Sequence, residues 1–93
     1  MEIKVNTYLE GKVKSLGADF EGRQFTTGIM LSGEYTFKTD SQETITMTVG
    51  NLNIKLPNAN WKKVSKGETV VVPPGVEFGL NIEQTCSYVC FYK

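Results

Sequence analysis

The sequence contains no histidine, and this absence excludes more chemistry than any other feature of its composition. Without histidine there is no imidazole general base, no Ser-His or Cys-His nucleophile pair, and no histidine-ligated zinc, iron or manganese. Any catalysis by the chain must therefore use side chains other than histidine.

An excess of charge of one sign is also missing, and cysteine is scarce. Ten basic and ten acidic side chains cancel, and no basic run is present, which argues against binding to a nucleic-acid backbone. Cys86 and Cys90 would lie on one face of a strand about 13 Å apart, whereas a disulfide requires Cα atoms within about 7 Å. C-x-x-x-C without histidine is a poor zinc set. We therefore expect two reduced thiols in or near the core.

Long apolar runs are missing as well. No stretch approaches the 18 or so apolar residues of a membrane span, and the amino terminus, with Glu2, Lys4 and Glu10, lacks the apolar run of a secretory signal. These absences favour a cytoplasmic protein with no membrane partner. Because small neutral barrels often dimerise, we expect a homodimer.

Short runs of Val, Ile, Thr, Tyr and Phe recur between Gly, Pro, Asn and Asp along all 93 residues. This pattern predicts one all-β domain, a sandwich or barrel. The predicted strands are 11–15, 24–31, 34–38, 43–49, 52–56, 61–64, 69–72, 77–82 and 86–92. We further expect a loop at Leu16 to Gly22, a two-residue hairpin turn at Gly50-Asn51, and Trp61 packed in the core.

The stretch from Gly33 to Gly50 holds the candidate site. Side chains alternate along an extended chain, so Ile45, Met47 and Val49 share one face of the second strand. Glu43 has the same parity and should point inward, where an unpaired charge is costly and a functional one is useful. The alternative is a structural carboxylate that accepts hydrogen bonds from backbone in the turn.

Two spacings in this background resemble the cupin superfamily. They are E-x6-G from Glu43 to Gly50 and G-x5-P-x-G from Gly67 to Gly75. The resemblance implies a cupin β-barrel, or jelly roll.

Metal-binding cupins carry an H-x-H pair before the Glu and a third histidine after the Pro-x-Gly. In this chain the pair would fall near Thr36 and Lys38, or near Phe37 and Thr39, and the third histidine at Phe78. The resemblance therefore implies a cupin without a metal.

A closer resemblance covers Gly11 to Tyr92. The segments G-K-V-K-S-L-G, G-R followed by G-I-M-L-S-G-E-Y-T-F, E-x6-G-x-L-N, V-P-x-G-x-x-F and S-Y-V-C-x-Y resemble the small cupin pyrimidine/purine nucleoside phosphorylase family. This resemblance implies a pentosyl-transferring glycosyltransferase of broad specificity. Such an enzyme splits nucleosides with inorganic phosphate into free base and ribose 1-phosphate, with no metal and no cofactor besides that co-substrate.

The resemblance also suggests roles for individual residues. Arg23, the only arginine, has the planar fork that suits bidentate contact with phosphate; the alternatives are a solvated surface arginine or an arginine that pairs with Glu21. Glu43 would contact the ribose hydroxyls or stabilise positive charge at C1′.

Three aromatic residues lie in the matched segments and would stack on the base, namely Tyr35, Phe78 and Tyr88. Each has the alternative reading of a core residue. The alternative function for the whole chain is a non-catalytic cupin that binds a nucleoside or a sugar-like ligand.

Overall fold

The computed structural model describes residues 2–93 and is built almost entirely of β-strands. The strands are β1 Lys4–Tyr8, β2 Val13–Phe20, β3 Arg23–Met30, β4 Gly33–Lys38, β5 Glu43–Val49, β6 Leu52–Lys55, β7 Lys62–Val64, β8 Thr69–Val72, β9 Glu77–Ile82 and β10 Cys86–Tyr92. A single 3₁₀ turn, Leu9–Gly11, joins β1 to β2. None of the helical structure in residues 2–93 has the length and apolarity needed to cross a membrane.

The strands form two antiparallel sheets. The six-stranded sheet has the order β1-β2-β3-β10-β5-β8, and the four-stranded sheet has the order β4-β9-β6-β7. The apolar core lies between them, because alternate residues of each strand point to the facing sheet; its fully buried members include Met47, Leu52, Ile54, Val72 and Ile82. The predicted all-β jelly-roll architecture is confirmed.

The second strand of the Gly33 to Gly50 stretch keeps its predicted inward face only in part. Ile45 and Met47 are buried, but Val49 is 59% exposed, so its predicted place on their face is wrong. The register between β10 and β5 shifts between Ser87 and Tyr88. A bulge of this kind adds one residue to β5 and reverses the alternation beyond it, which turns Val49 outward.

The amino-terminal third contains more strand than the sequence predicts. The expected loop at Leu16 to Gly22 is wrong, because β2 continues to Phe20 and pairs with β3 through a tight turn. Glu21 and Gly22, both at positive φ, form that turn. β1 was not predicted at all, since its polar side chains do not show the apolar alternation of a core strand.

Two local expectations around the second sheet are also wrong. Gly50-Asn51 does not close a hairpin, because β5 and β6 lie in different sheets. The positive φ of Gly50 (73°) instead turns the chain from one sheet to the other. Trp61 is 53% exposed rather than core, and a Cβ built on Gly79 of β9 would lie 3.4 Å from its ring. The indole therefore covers the outside of the four-stranded sheet.

Cys86 and Cys90 are both free and buried, as the sequence predicts. Their spacing puts them on the inward face of β10, where they pack as small apolar side chains. Burial raises the pKa of Cys86 to about 11, so this thiol is neutral near pH 7.

Candidate functional site

A cavity of about 680 Å³ opens between the two sheets. Apolar side chains from both sheets form its floor, and they include Val13, Met30, Ile45, Leu52, Phe78 and Leu80. The six-stranded sheet provides most of its polar lining. Cavities of about 300 to 1,000 Å³ that combine apolar walls with a few polar groups are typical small-molecule sites.

The polar lining follows from strand register. Asn6 of β1 pairs with Ser15 of β2, Ser15 pairs with Gly28 of β3, and Gly28 pairs with Tyr88 of β10. Paired residues of adjacent strands present their side chains on the same face of a sheet. This row therefore places an amide and two hydroxyls on one cavity wall, with the Asn6 amide donating to Ser15 Oγ over 3.1 Å.

A second polar group surrounds Glu43. β10 brings Cys90 beside it, and the Cys90 thiol donates to Glu43 Oε1 over 3.6 Å. Tyr92, which pairs with Glu43 in register, shares a 3.1 Å hydrogen bond with the hydroxyl of Thr26. A carboxyl, a thiol and two hydroxyls from three strands thus meet on the cavity wall.

Burial perturbs the ionisation of this group. Desolvation raises the pKa of Glu43; the Cys90 hydrogen bond opposes the shift, and the charge of Asp40 adds to it. Desolvation, followed by the charge of Glu43, raises the pKa of Cys90 to about 12. Cys90 is therefore a neutral donor near pH 7, and Glu43 is the carboxyl of this group, with a pKa raised chiefly by burial.

Tyr88 is held against the sheet by the absence of a side chain at Gly28. A Cβ built on Gly28 would lie 2.7 Å from the Tyr88 hydroxyl oxygen. Burial, as the largest cause, raises the pKa of Tyr88 to about 12. The phenol therefore stays protonated and presents a neutral ring and a hydroxyl to the cavity.

Charged side chains in the lining are mostly acidic. Lys4 and Lys38 are the cations among the described lining residues. The acids are Glu2, Asp19, Asp40 and Glu43. An incoming phosphate dianion would therefore depend on specific contacts with cations, because the charged lining as a whole does not attract it.

Three of the five residues suggested by the sequence line this cavity, namely Glu43, Phe78 and Tyr88. Tyr35 belongs to the core: it is 7% exposed, and its hydroxyl donates to the Leu31 carbonyl over 2.7 Å. Tyr35 is absent from the lining described for residues 2–93.

Arg23 is also absent from that lining. It begins β3 and is exposed, and its guanidinium carbon lies 4.8 Å from the centroid of the Phe91 ring. Phe91 stacks in turn on Phe25, with centroids 5.5 Å apart. These three side chains form a cation–π cluster. Glu43 of the same chain is not part of this cluster.

Several lining residues are not among the site residues predicted from the sequence. Cys90 is predicted only as a core thiol, and Tyr92, Thr26 and Lys4 have no predicted role in the site. A signal for two of them was present, because Cys86, Tyr88, Cys90 and Tyr92 alternate on β10 and so share one face. The sequence contains no such signal for Lys4, because Lys4 reaches the cavity from strand β1, which was not predicted.

The residues present do not fit a cupin metal. Among residues 2–93, no three His, Cys, Asp or Glu side chains are grouped where they could hold an ion. The side chains at the positions of the cupin histidines, Thr36 with Lys38 or Phe37 with Thr39, and Phe78, are poor ligands for such a metal.

Two antiparallel sheets around a polar cavity define a jelly roll of the cupin type. An RmlC-like cupin from Shewanella frigidimarina shares this fold, with a TM-score of 0.77 over 98% of this chain and 83% of that chain at 15% identity. A family model described as "Pyrimidine/purine nucleoside phosphorylase" matches residues 3–92. The chain belongs to the pyrimidine/purine nucleoside phosphorylase family.

Individual relatives support this family membership. A protein of that name from Yersinia enterocolitica is 40% identical over 92 residues, which cover 97% of each chain. Another, from Pectobacterium atrosepticum, is 43% identical over 94 residues, covering 97% of this chain and 98% of the relative. A crystal structure of a Vibrio parahaemolyticus protein of unknown function matches with a TM-score of 0.96 and 38% identity over the whole of both chains.

Proposed function

We propose that this protein is a pentosyltransferase that splits purine and pyrimidine nucleosides with inorganic phosphate into free base and ribose 1-phosphate. The observation that carries the proposal is the desolvated carboxyl of Glu43 in a cavity of nucleoside size, within a chain that matches the phosphorylase family almost from end to end.

In this reaction a phosphate oxygen forms a bond to C1′ as the bond from C1′ to the base nitrogen breaks. The bonding electron pair leaves with the base, and C1′ becomes positively charged in the transition state. The base takes up a proton, which is balanced by the proton that the hydrogen phosphate loses as it becomes the ribose 1-phosphate ester. An ionised Glu43 carboxylate stabilises that positive charge at C1′. Its partial burial strengthens the attraction, because less water screens it.

The two aromatic residues of the site suit a broad range of bases. Tyr88 and Phe78 line the same cavity from the two facing sheets. Stacking on their rings depends on the flat face that every base has, more than on its hydrogen-bonding edge. The hydroxyls and the amide of the cavity wall line the same cavity, and we assign them the role of orienting the ribose.

Three cations are candidates for binding the phosphate in this proposal, namely Arg23, Lys4 and Lys38. The family resemblance assigns phosphate to Arg23, whose guanidinium is suited to it but lies over Phe91 on the outside of the sheet. Lys4 and Lys38 line the cavity itself. We retain Arg23 as the candidate and test it against the two lysines below.

The test is a phosphorolysis assay on metal-stripped protein. We expect release of base from uridine, adenosine and inosine only when phosphate is present, with one ribose 1-phosphate formed per base. Glu43→Gln should lose most of this activity. Glu34→Gln, an exposed carboxylate elsewhere on the surface, is the matched control and should retain it.

Three results would contradict the proposal. Base release without phosphate would indicate a hydrolase, and activity restored only by added metal would contradict the metal-free reaction. Nucleoside binding in calorimetry without turnover would favour the non-catalytic ligand-binding cupin. We also propose that the protein acts in the cytoplasm, an inference that its two reduced cysteines support.

A further inference from the structure

An aromatic pair closes the cavity on the side where an edge of each sheet borders it. β1 is an edge strand of the six-stranded sheet, and β4 is an edge strand of the four-stranded sheet. Tyr8 of β1 and Phe37 of β4 contact each other between the sheets, with ring centroids 5.8 Å apart and an interplanar angle of 89°. Both side chains line the cavity. Because Phe37 also lies 6.2 Å from Phe78, the pair extends the aromatic wall of the site.

Strand register places Tyr88 between Glu43 and Tyr8 in both directions of the six-stranded sheet. Across the sheet, Glu43 lies on β5 at one side of β10, whereas Tyr8 lies on β1 at the other side. Along the strands, Glu43 pairs with Tyr92, four residues from Tyr88. Tyr8 belongs to the row that reaches β10 at Cys86, two residues from Tyr88 in the opposite direction.

The Tyr88 side chain also connects the two ends. It reaches from β10 over Gly28 of β3, in the direction of β1. Burial is the largest cause that raises the pKa of Tyr88, and the charges of Cys90, Tyr8 and Glu43 add to it. Because charges in contact with water are largely screened beyond about 8 to 10 Å, both Tyr8 and Glu43 lie near the Tyr88 phenol.

A nucleoside in this cavity would therefore lie in one direction. Glu43 acts at C1′, so the ribose belongs at its end of the cavity, and the base would extend over Tyr88 toward Tyr8. A pyrimidine has one ring, whereas a purine has a second, fused ring that reaches farther from C1′. The space next to Tyr8 is thus the part of the cavity that a purine would occupy and a pyrimidine would leave empty.

The turn that follows Tyr8 is strained. Leu9, Glu10 and Gly11 have successive φ values of 52°, 57° and 87°, and residues other than glycine seldom adopt this left-handed region. Strained backbone persists where the surrounding structure enforces it, and it is concentrated at functional sites. Its position directly after a lining residue supports a functional reason for the placement of Tyr8.

We propose that Tyr8 is a specificity-determining residue, which sets the length of the space for the base and so the relative rates of purine and pyrimidine nucleosides. The inference rests on the proposed phosphorolysis. The Tyr8 side chain is 43% exposed and lies on an edge strand, so it has room to turn outward when a purine enters. One cavity thereby holds both classes of base.

The experiment measures kcat/KM for inosine and for uridine in Tyr8→Ala and Tyr8→Trp. Alanine leaves a gap that a pyrimidine does not fill, so the inosine-to-uridine ratio of kcat/KM should rise about 10-fold. Tryptophan fills the space of the second ring, so the ratio should fall by about 10-fold or more. A merely structural role for Tyr8 would lower both rates together and leave the ratio unchanged.

The matched controls are Phe20→Ala and Phe20→Trp. They make the same changes at an aromatic residue that is 58% exposed and absent from the cavity lining described for residues 2–93, so both should keep the ratio of the unaltered protein. The dissociation constants of inosine and uridine are measured in parallel by calorimetry in phosphate-free buffer, where phosphorolysis does not occur. Binding should show the same preferences as the rates.

These two measurements separate the role of Tyr8 from the proposed activity. If the unaltered protein binds both nucleosides without turnover, the phosphorylase proposal fails, and opposite shifts in the ratio of dissociation constants would still support the role of Tyr8. Circular dichroism establishes that each variant is folded, and the opposite expected shifts leave either variant informative on its own. A ratio that the folded Tyr8 variants leave unchanged would overturn the inference. So would an equal shift in the Phe20 variants, or a cavity that binds neither nucleoside.

Discussion

Substitution of Gly28 by alanine tests how closely the candidate site is packed. Gly28 lies in the middle of β3, between β2 and β10, and is buried. Its φ is not positive, so alanine fits the backbone conformation. The added Cβ would nevertheless lie 2.7 Å from the hydroxyl oxygen of Tyr88 and 2.8 Å from the carbonyl oxygen of Lys14. The Gly28→Ala protein should therefore have a steric clash at the new Cβ, while its backbone dihedral angles remain favourable.

The size of the effect follows from these contacts. Forcing one carbon into a packed site costs about 1 to 3 kcal/mol, and a Gly to Ala change returns about 0.4 to 1 kcal/mol by restricting the unfolded chain. The net loss lies between about 0 and 2.6 kcal/mol, with a middle value of about 1.3 kcal/mol. For a domain of this size each kcal/mol lowers the melting temperature by about 4 to 8 °C, so the middle value corresponds to a decrease of about 5 to 10 °C.

The assay is a thermal melt followed by circular dichroism, with Gly17→Ala as the matched control. Gly17 is also a buried strand glycine, and its pair with Thr26 lies two residue pairs from the Ser15–Gly28 pair along the β2–β3 ladder. A Cβ built on it has its nearest neighbour at 3.5 Å, in Thr26. Gly17→Ala should leave the melting temperature unchanged or raise it.

The double variant Gly28→Ala/Tyr88→Phe separates the contact with the Tyr88 hydroxyl from the contacts with the Tyr88 ring and the Lys14 carbonyl. Removing the hydroxyl relieves the 2.7 Å contact but leaves both the ring carbon and the Lys14 carbonyl 2.8 Å from the Cβ. Stability should therefore recover only in small part. Full recovery would show that neither of the two remaining contacts has a cost, and a Gly28→Ala protein as stable as Gly17→Ala would refute the reasoning.

The remaining predictions concern the site. Glu43→Gln should lower kcat about 10- to 100-fold without lowering the melting temperature at pH 7. Burial raises the folded-state pKa of Glu43, so its contribution to stability is present below the unfolded-state pKa and is lost as pH rises through the folded-state pKa; the neutral amide avoids that loss. Cys90→Ala removes the hydrogen bond that lowers the pKa of Glu43, so the acid limb of the kcat/KM profile should move to higher pH, and an unmoved limb would exclude Glu43 as the group that titrates there. Arg23→Ala should raise the KM for phosphate about 10- to 150-fold if a charged hydrogen bond of about 1.5 to 3 kcal/mol is lost; an unchanged KM, with the increase seen instead in Lys4→Ala or Lys38→Ala, would transfer the role to those lysines.

The strands that the sequence predicted well are those with apolar alternation on a buried face. β5 and β9 begin where predicted, because Ile45 and Met47, or Phe78 and Leu80, face the core at a period of two. β1 was missed because its inward residues line a cavity instead of the core. Their polarity is suited to the site but conceals the strand pattern.

Trp61 and Val49 show that burial cannot be predicted from residue type alone. Both are large apolar residues, and hydrophobicity favours burial. The tertiary structure exposes Trp61 on the four-stranded sheet and turns Val49 outward through a bulge. Composition cannot distinguish the core from an apolar outer face.

The inward direction of Glu43, the all-β class and the exclusion of histidine chemistry were determined by the sequence alone. They depend on composition or on neighbours within a few residues, and alternation in a strand is a local property. What surrounds Glu43 was decided only by the tertiary structure. Cys90 and Tyr92 reach it from β10, nearly fifty residues later in the chain, and Arg23 is directed to the outer face of the sheet. Strand order and register arise from packing the whole chain, and no local pattern contains them.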